Sequence, residues 1–215
     1  GYDFMDQAGA WLHDPAAAPA LSRTWQALGG DPRSFDRIQQ DARAMLLRQG
    51  LHADFQRLLR SAQQVLQPRL AEADIGVAAL ARALASVLGH YRTYRPYSLQ
   101  GAGERKALAD ASAAARQALD GAARAALDLL LAALAGEAQA ERVLRARFGQ
   151  LAAPLNAKSV EDTGFYRYFR LLSRNDVGSD PQRLGMEGRA LLEHAAARLR
   201  RHPRALLALA THDHK

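Results

Sequence analysis

Apolar side chains recur every three or four residues along most of this chain, a period that restricts it to amphipathic helices packing their apolar stripes together. Phe4, Ala8, Trp11 and Leu12 form one short stripe, and Leu21, Trp25 and Leu28 a second. Gly29-Gly30 ends the second, and Asp31-Pro32 reads as an N-cap followed by proline at the first helical position, where the missing N–H costs nothing. A long helix is expected from there, with a stripe through Phe35, Ile38, Ala42, Met45 and Leu46. It breaks near Gly50, resumes from Leu51 to Leu66, and stops at Gln67-Pro68. Asp74 is expected to cap the next helix, which carries Val77, Leu80, Leu84, Val87 and Leu88 and is closed by Gly89.

At 90–97 the pattern changes: "HYRTYRPY" mixes aromatic and β-branched residues and ends at proline, which predicts an extended segment or loop, followed by a linker at 99–103. From Glu104 to about Ala153 strong helix formers return, and Gly121, Gly136 and Gly149 punctuate two or three further helices. A loop follows, then a helix from about Met186 to Arg201. The final "RALLALATHDHK" holds a short apolar run whose abrupt polar end favours a short C-terminal strand. The fold class expected is therefore mainly α.

Composition narrows function by exclusion. With 215 residues, 48% of them hydrophobic, the chain can bury a core. Its longest apolar stretch, 122–135, is interrupted by Arg124 and Asp128, so no membrane partner is expected. No cysteine occurs, which fits a reducing compartment, the cytoplasm. The formal charge of +7 comes from 26 Arg and three Lys, scattered rather than clustered. That describes solvated helix faces better than a phosphate-binding surface, so no nucleic-acid partner is expected. The competing reading is a non-enzymatic, basic helical binding module.

"KSVEDTGFYRYFR", residues 158–170, is the densest chemical stretch. Glu161 and Asp162 are adjacent, so their side chains diverge, whereas a retaining glycosidase holds two carboxyls about 5 to 5.5 Å apart across its substrate. They read either as the acidic first turn of a helix or as binding groups. Phe165, Tyr166, Tyr168 and Phe169 cannot share one helical face, because successive residues point about 100° apart. Phe165 and Phe169, at i and i+4, are expected in the core, with Tyr166 and Tyr168 partly exposed. Tyrosine rings beside polar groups are also the platforms that carbohydrate sites use. His212-Asp213-His214 has metal-ligand residue types without a third cluster nearby, so no metal is expected there, and no cofactor motif is present. His90, His194 and His202 read as surface or capping residues.

Four segments in this order, "GYDF", "YRTY", "AKSVEDTGFYRYFRLLSRNDVGSDP" and "ATHDHK", resemble the maltooligosyltrehalose synthases of the α-amylase superfamily. The resemblance implies an (α/β)8-barrel enzyme of which this chain is a helical insertion. Residues 1–153 would form a helical bundle, and 154–215 a substrate wall, a helix and a return segment to the barrel. It implies isomerisation of the reducing-end α-1,4 linkage of a maltooligosaccharide to an α,α-1,1 linkage, without a cofactor. Asp213 would be the third catalytic carboxylate and His212 would bind the same glucosyl unit. Lys158, Glu161, Asp162, Tyr166, Arg167 and Tyr168 would line the reducing-end sugars, with Tyr91 and Tyr94 in a second segment. The nucleophilic Asp and the acid/base Glu would belong to the remainder of the parent barrel, so the chain alone would be inactive. Asn156, Ser159, Gly164, Phe169 and His214 depart from residues more usual in the family.

Overall fold

The computed structural model describes residues 1–208 and 210, and its regular structure is helical. The helices are α1 (Tyr2–Trp11), α2 (Ala18–Ala27), α3 (Phe35–Arg48), α4 (His52–Glu72), α5 (Val77–His90), α6 (Ala102–Gln117), α7 (Gly121–Ala135), α8 (Gln139–Ser159), the short turn α9 (Phe165–Arg167) and α10 (Gly188–Arg201). Among the described residues none of these helices is long and apolar enough to cross a membrane. The chain divides into two compact units, residues 39–160 and residues 1–38 with 161–215.

The unit 39–160 is a helical bundle with one contiguous core. Leu58, Ala62 and Leu66 of α4, Leu80, Leu84 and Leu88 of α5, Leu127 and Leu130 of α7, and Leu144 and Phe148 of α8 are all buried. The core places α5 against α6 and α7, and α4 against α7 and α8. Helix starts follow the expected chemistry: Asp120 caps α7 by accepting the Ala123 amide at 2.8 Å, and Glu141 reaches back to the Ala138 amide at 2.9 Å at the head of α8.

In the other unit, α1 packs on α10 and on the 3-10 turn Leu172–Arg174. The expected stripe of α1 is not its buried face. Trp11 and Leu12 are exposed, while Asp6 and Ala10 are buried. The reason is an ion cluster: the Asp6 carboxylate accepts from Arg174 and Arg183 and from the Asp180 amide at 3.0 Å. Arg174, 1% exposed, also donates to the Arg183 carbonyl at 3.0 Å, so α1 is tied to the 174–183 loop.

Several expected boundaries move. Helix α3 begins at Phe35, with Ser34 in the capping role, its hydroxyl accepting the Arg37 amide at 3.3 Å. Asp31 instead pairs with Arg33, whose side-chain hydrogen bonds hold the Asp31 carboxyl down to about 2. Pro68 lies inside α4. The amide it lacks would have met the Gln64 carbonyl, and both residues are exposed, so water can serve that oxygen while Leu66 and Leu70 stay buried. Asp74 does not cap α5, whose N-cap is Gly76. With φ of 51° it closes α4: its amide donates to Ala71 and the Ile75 amide to Leu70 at 2.9 Å, the left-handed helix ending usually assigned to glycine. Gly89 lies within α5, which runs one residue further.

Helix α8 also continues through Gly149 and Pro154, where a break and then a loop were expected. Gly149 serves close packing, because a Cβ there would stand 2.8 Å from the Pro96 carbonyl oxygen. The C-terminal strand is not formed among the described residues: 205–208 carry no ladder, and an isolated strand has none to join.

Candidate functional site

The stretch 158–170 is shaped by how α8 ends. Its last turn, holding the exposed Lys158, passes into a π-helical turn at Val160–Gly164, a wider winding that occurs often at functional positions. Glu161 and Asp162 therefore stand at the far end of a helix, not at the start of one. After the single turn of α9 the backbone becomes extended at Tyr168, with φ of −144° and ψ of 95°. That break exchanges the expected faces. Phe165 and Tyr168 are buried against Phe35, with ring centroids 5.8 and 5.6 Å away, while Phe169 is 47% exposed. Tyr166 is 77% exposed and Arg167 is exposed beside it.

Asn175 fixes both ends of this turn by donating from Nδ2 to the carbonyls of Phe165 at 3.1 Å and Tyr168 at 2.7 Å. Burial pushes the Tyr168 hydroxyl up, opposed by the Arg170 guanidinium 5.0 Å over its ring. Trp25 supports the next residue, its ring 4.7 Å from Phe169 in an edge-to-face pair. Gly30 lies against the Trp25 ring, where a Cβ would approach to 2.1 Å and force the ring to move. Leu21, Thr24, Trp25, Leu28, Phe169 and Arg170 surround a cleft of about 310 Å³.

The "YRTY" segment belongs to the other unit, and its two tyrosines differ. Tyr91 is 1% exposed, edge-on to Phe148 at 5.4 Å, and burial pushes its hydroxyl up. Tyr94 is 61% exposed and shares a cleft of about 410 Å³ with Arg95, Tyr97, Gly149, Gln150 and Ala153. Glu104 holds the outgoing chain, accepting the Tyr97 amide at 2.6 Å and the Ser98 hydroxyl at 2.9 Å.

Beneath this segment lies a polar network that the sequence pattern does not reveal. Arg43, on α3 and 1% exposed, donates to the carbonyls of Gly89 at 3.0 Å and Tyr91 at 2.9 Å, to Ser159 Oγ at 3.3 Å, and to Asn156 Oδ1. Asn156 Nδ2 donates to the Thr93 carbonyl at 3.0 Å. A lone Asn among apolar residues of α8 was the only available hint, and Arg43 looks like any surface arginine of α3.

The structure thus places Glu161, Asp162, Tyr166 and Arg167 along one run of one unit, with Tyr168 beneath it. Lys158, Tyr91 and Tyr94 belong to the other. His212 and Asp213 lie outside the described residues. Among the described residues no group of three His, Asp or Glu side chains is placed to hold a metal ion.

No family model matches the chain. It is 32% identical over 216 residues to proteins described as maltooligosyl trehalose synthases in two strains of Mycobacterium tuberculosis, matching all of this chain and 26% of each of them. Among solved structures, the maltooligosyltrehalose synthase of Arthrobacter ramosus superposes with a TM-score of 0.80 at 30% identity, over 99% of this chain and 26% of that one. A point mutant of the same enzyme gives 0.81 at 29%. A glycosyltrehalose synthase at 22% identity and a TM-score of 0.58 shares the fold.

Proposed function

From the premise that this chain is related over its whole length to about a quarter of maltooligosyltrehalose synthases, we propose that it is the helical insertion of such an enzyme, built between strands of an α-amylase-type barrel. The observation that carries this reading is the superposition of 99% of this chain on the Arthrobacter enzyme. The reaction is an intramolecular transglucosylation. A barrel Asp attacks the anomeric carbon of the penultimate glucosyl unit, the α-1,4 bond breaks, and the departing glucose O4 takes a proton from the barrel Glu. The released glucose then turns over, and its anomeric hydroxyl attacks the glucosyl-enzyme, returning a proton to the Glu and freeing the Asp. An α,α-1,1 linkage results.

The chain contributes one carboxylate, Asp213, which steadies sugar hydroxyls as the ring flattens toward an oxocarbenium ion. Its other task is a wall. Water competes with the released glucose for the glucosyl-enzyme, so the acceptor must be held and solvent excluded. In one unit Tyr166 supplies an exposed aromatic face, with Arg167, Asp162 and Glu161 as hydrogen-bonding groups for a polyhydroxylated ligand; in the other, Lys158 and the exposed ring of Tyr94 offer sugar contacts of their own. The buried Tyr91 and Tyr168 hold the backbone that carries them. His212 binds the glucosyl unit that Asp213 serves, and no cofactor takes part. Trp11, Leu12, Leu172, Leu192 and Leu199 are exposed apolar side chains suited to docking on the remainder of the barrel in a cytoplasmic enzyme.

The test is product analysis with maltopentaose. The 215-residue chain alone, holding one of three catalytic carboxylates, is expected to form no trehalose-ended product, and formation of that product by the chain alone would overturn the domain account.

A further inference from the structure

We infer that Arg43 and Asn156 are positioning residues for Tyr94: together they fix the backbone that presents its ring to a sugar. The inference rests on the reading above that Tyr94 meets the sugar. Residues 91–97 form neither helix nor strand, so nothing periodic sets their course. Side chains set it instead: Glu104 holds its far end at Tyr97, and Arg43 and Asn156 hold its first half. Arg43 Nη1 holds the carbonyls of Gly89 at 3.0 Å and Tyr91 at 2.9 Å, which satisfies the open carbonyl end of α5 and anchors the first residue beyond it. Asn156 Nδ2 holds the carbonyl of Thr93 at 3.0 Å and that of Ala152 at 2.9 Å, which fastens the residue before Tyr94 to α8. Arg43 Nη2 donates to Asn156 Oδ1, so the two anchors are one connected unit.

Gly149 completes the arrangement by letting Pro96 press against α8 on the far side of Tyr94. The ring is 61% exposed, yet the backbone on both sides of it is pinned. Burying a guanidinium and an amide is costly unless their donors are used; here one donor of each reaches a carbonyl of the irregular segment, Tyr91 and Thr93, and others reach Gly89 near the end of α5 and Ala152 of α8. A ring held this way stands in a fixed place before substrate arrives. Misplacing such a group by about 1 Å can cost on the order of 10²-fold in a reaction that depends on orientation.

The test uses the intact synthase carrying this chain, with maltopentaose as substrate. The readout is the ratio of free glucose, from hydrolysis, to trehalose-ended product. That ratio does not depend on how much enzyme is folded, so a substitution that only destabilises leaves it unchanged. Asn156→Ala, which releases Thr93, is expected to raise the glucose share by about threefold or more. Tyr94→Ala should raise it at least as far, and the double variant no further than Tyr94→Ala alone, because the two act through one ring. Arg43→Lys keeps the charge but loses the fork of donors and should shift the ratio the same way. If Arg43→Lys fails to fold, Asn156→Ala decides the matter. A ratio unchanged in Asn156→Ala but shifted in Tyr94→Ala overturns the positioning role and leaves the functional reading standing. A ratio unchanged in both overturns the positioning role as well. An unsubstituted enzyme that makes no trehalose-ended product overturns the functional reading, and this inference with it.

Discussion

Gly149→Ala is the substitution for which helix propensity and the structure predict opposite signs. Gly149 lies in the middle of α8, where alanine would ordinarily stabilise by roughly 0.5–1 kcal/mol by lowering backbone entropy in the unfolded chain. A methyl at this position would stand 2.8 Å from the Pro96 carbonyl oxygen and 3.5 Å from Pro96 Cγ. The nearer atom is backbone, so no rotamer change relieves the clash, and the 91–97 segment must lift from α8. Forced overpacking of this kind costs about 1–3 kcal/mol, which offsets the helix gain and leaves a net loss of up to about 2.5 kcal/mol. Gly89→Ala is the control: it is helical too, and an added Cβ there meets nothing within 4 Å. Its expected change is a stabilisation of up to about 1 kcal/mol. Urea denaturation of the 215-residue chain, followed by helical circular dichroism, reads both. A Gly149→Ala midpoint raised as far as that of Gly89→Ala would refute the close-packing argument.

Two further outcomes follow from local chemistry. Ser34→Ala removes the hydroxyl that accepts the Arg37 amide, and should destabilise the chain by about 1 kcal/mol in the same denaturation experiment, whereas Asp31→Ala should do less. Burial, then the charges of Arg43 and Arg92, hold the His90 imidazole below its ordinary 6.5, so the unfolded chain binds the proton more readily than the folded one. Stability from this group is intact above 6.5 and declines as pH falls below it; His90→Gln should flatten the decline in unfolding free energy between about pH 7 and about pH 5, and an unchanged slope would contradict the assignment.

Helix content and most helix positions were legible because the apolar period is itself the packing requirement: α3, α4 and α5 lie close to where their stripes put them. What failed was punctuation. Pro68, Gly149 and Pro154 read as stops, yet all three sit inside helices, because tertiary burial of Leu66, Leu70 and Phe148 outweighs a local defect whose freed carbonyl faces water or whose missing side chain makes room. Asp74 was read as a beginning and is an ending, since an aspartate that tolerates φ of 51° can stand where glycine would. The motif residues were visible by composition, but their orientation was not. Tyr168 and Phe169 exchange places because the helix breaks between Arg167 and Tyr168, and the period that assigned their faces ends there. Charged anchors were the least legible. Asp6 pairs with Arg174, which lies far from it in sequence, and Arg43 with Asn156 likewise, and nothing local marks either pair.

If this helical chain completes a glucan-isomerising centre as proposed, catalysis by the intact synthase depends on Asp213. The most direct measurement is the rate at which the intact synthase converts maltopentaose to its α,α-1,1-linked isomer, with and without Asp213→Asn. The unsubstituted enzyme is expected to form the isomer, and the substitution to lower turnover by several orders of magnitude through loss of a contact made in the transition state. Near-normal turnover in Asp213→Asn would contradict it.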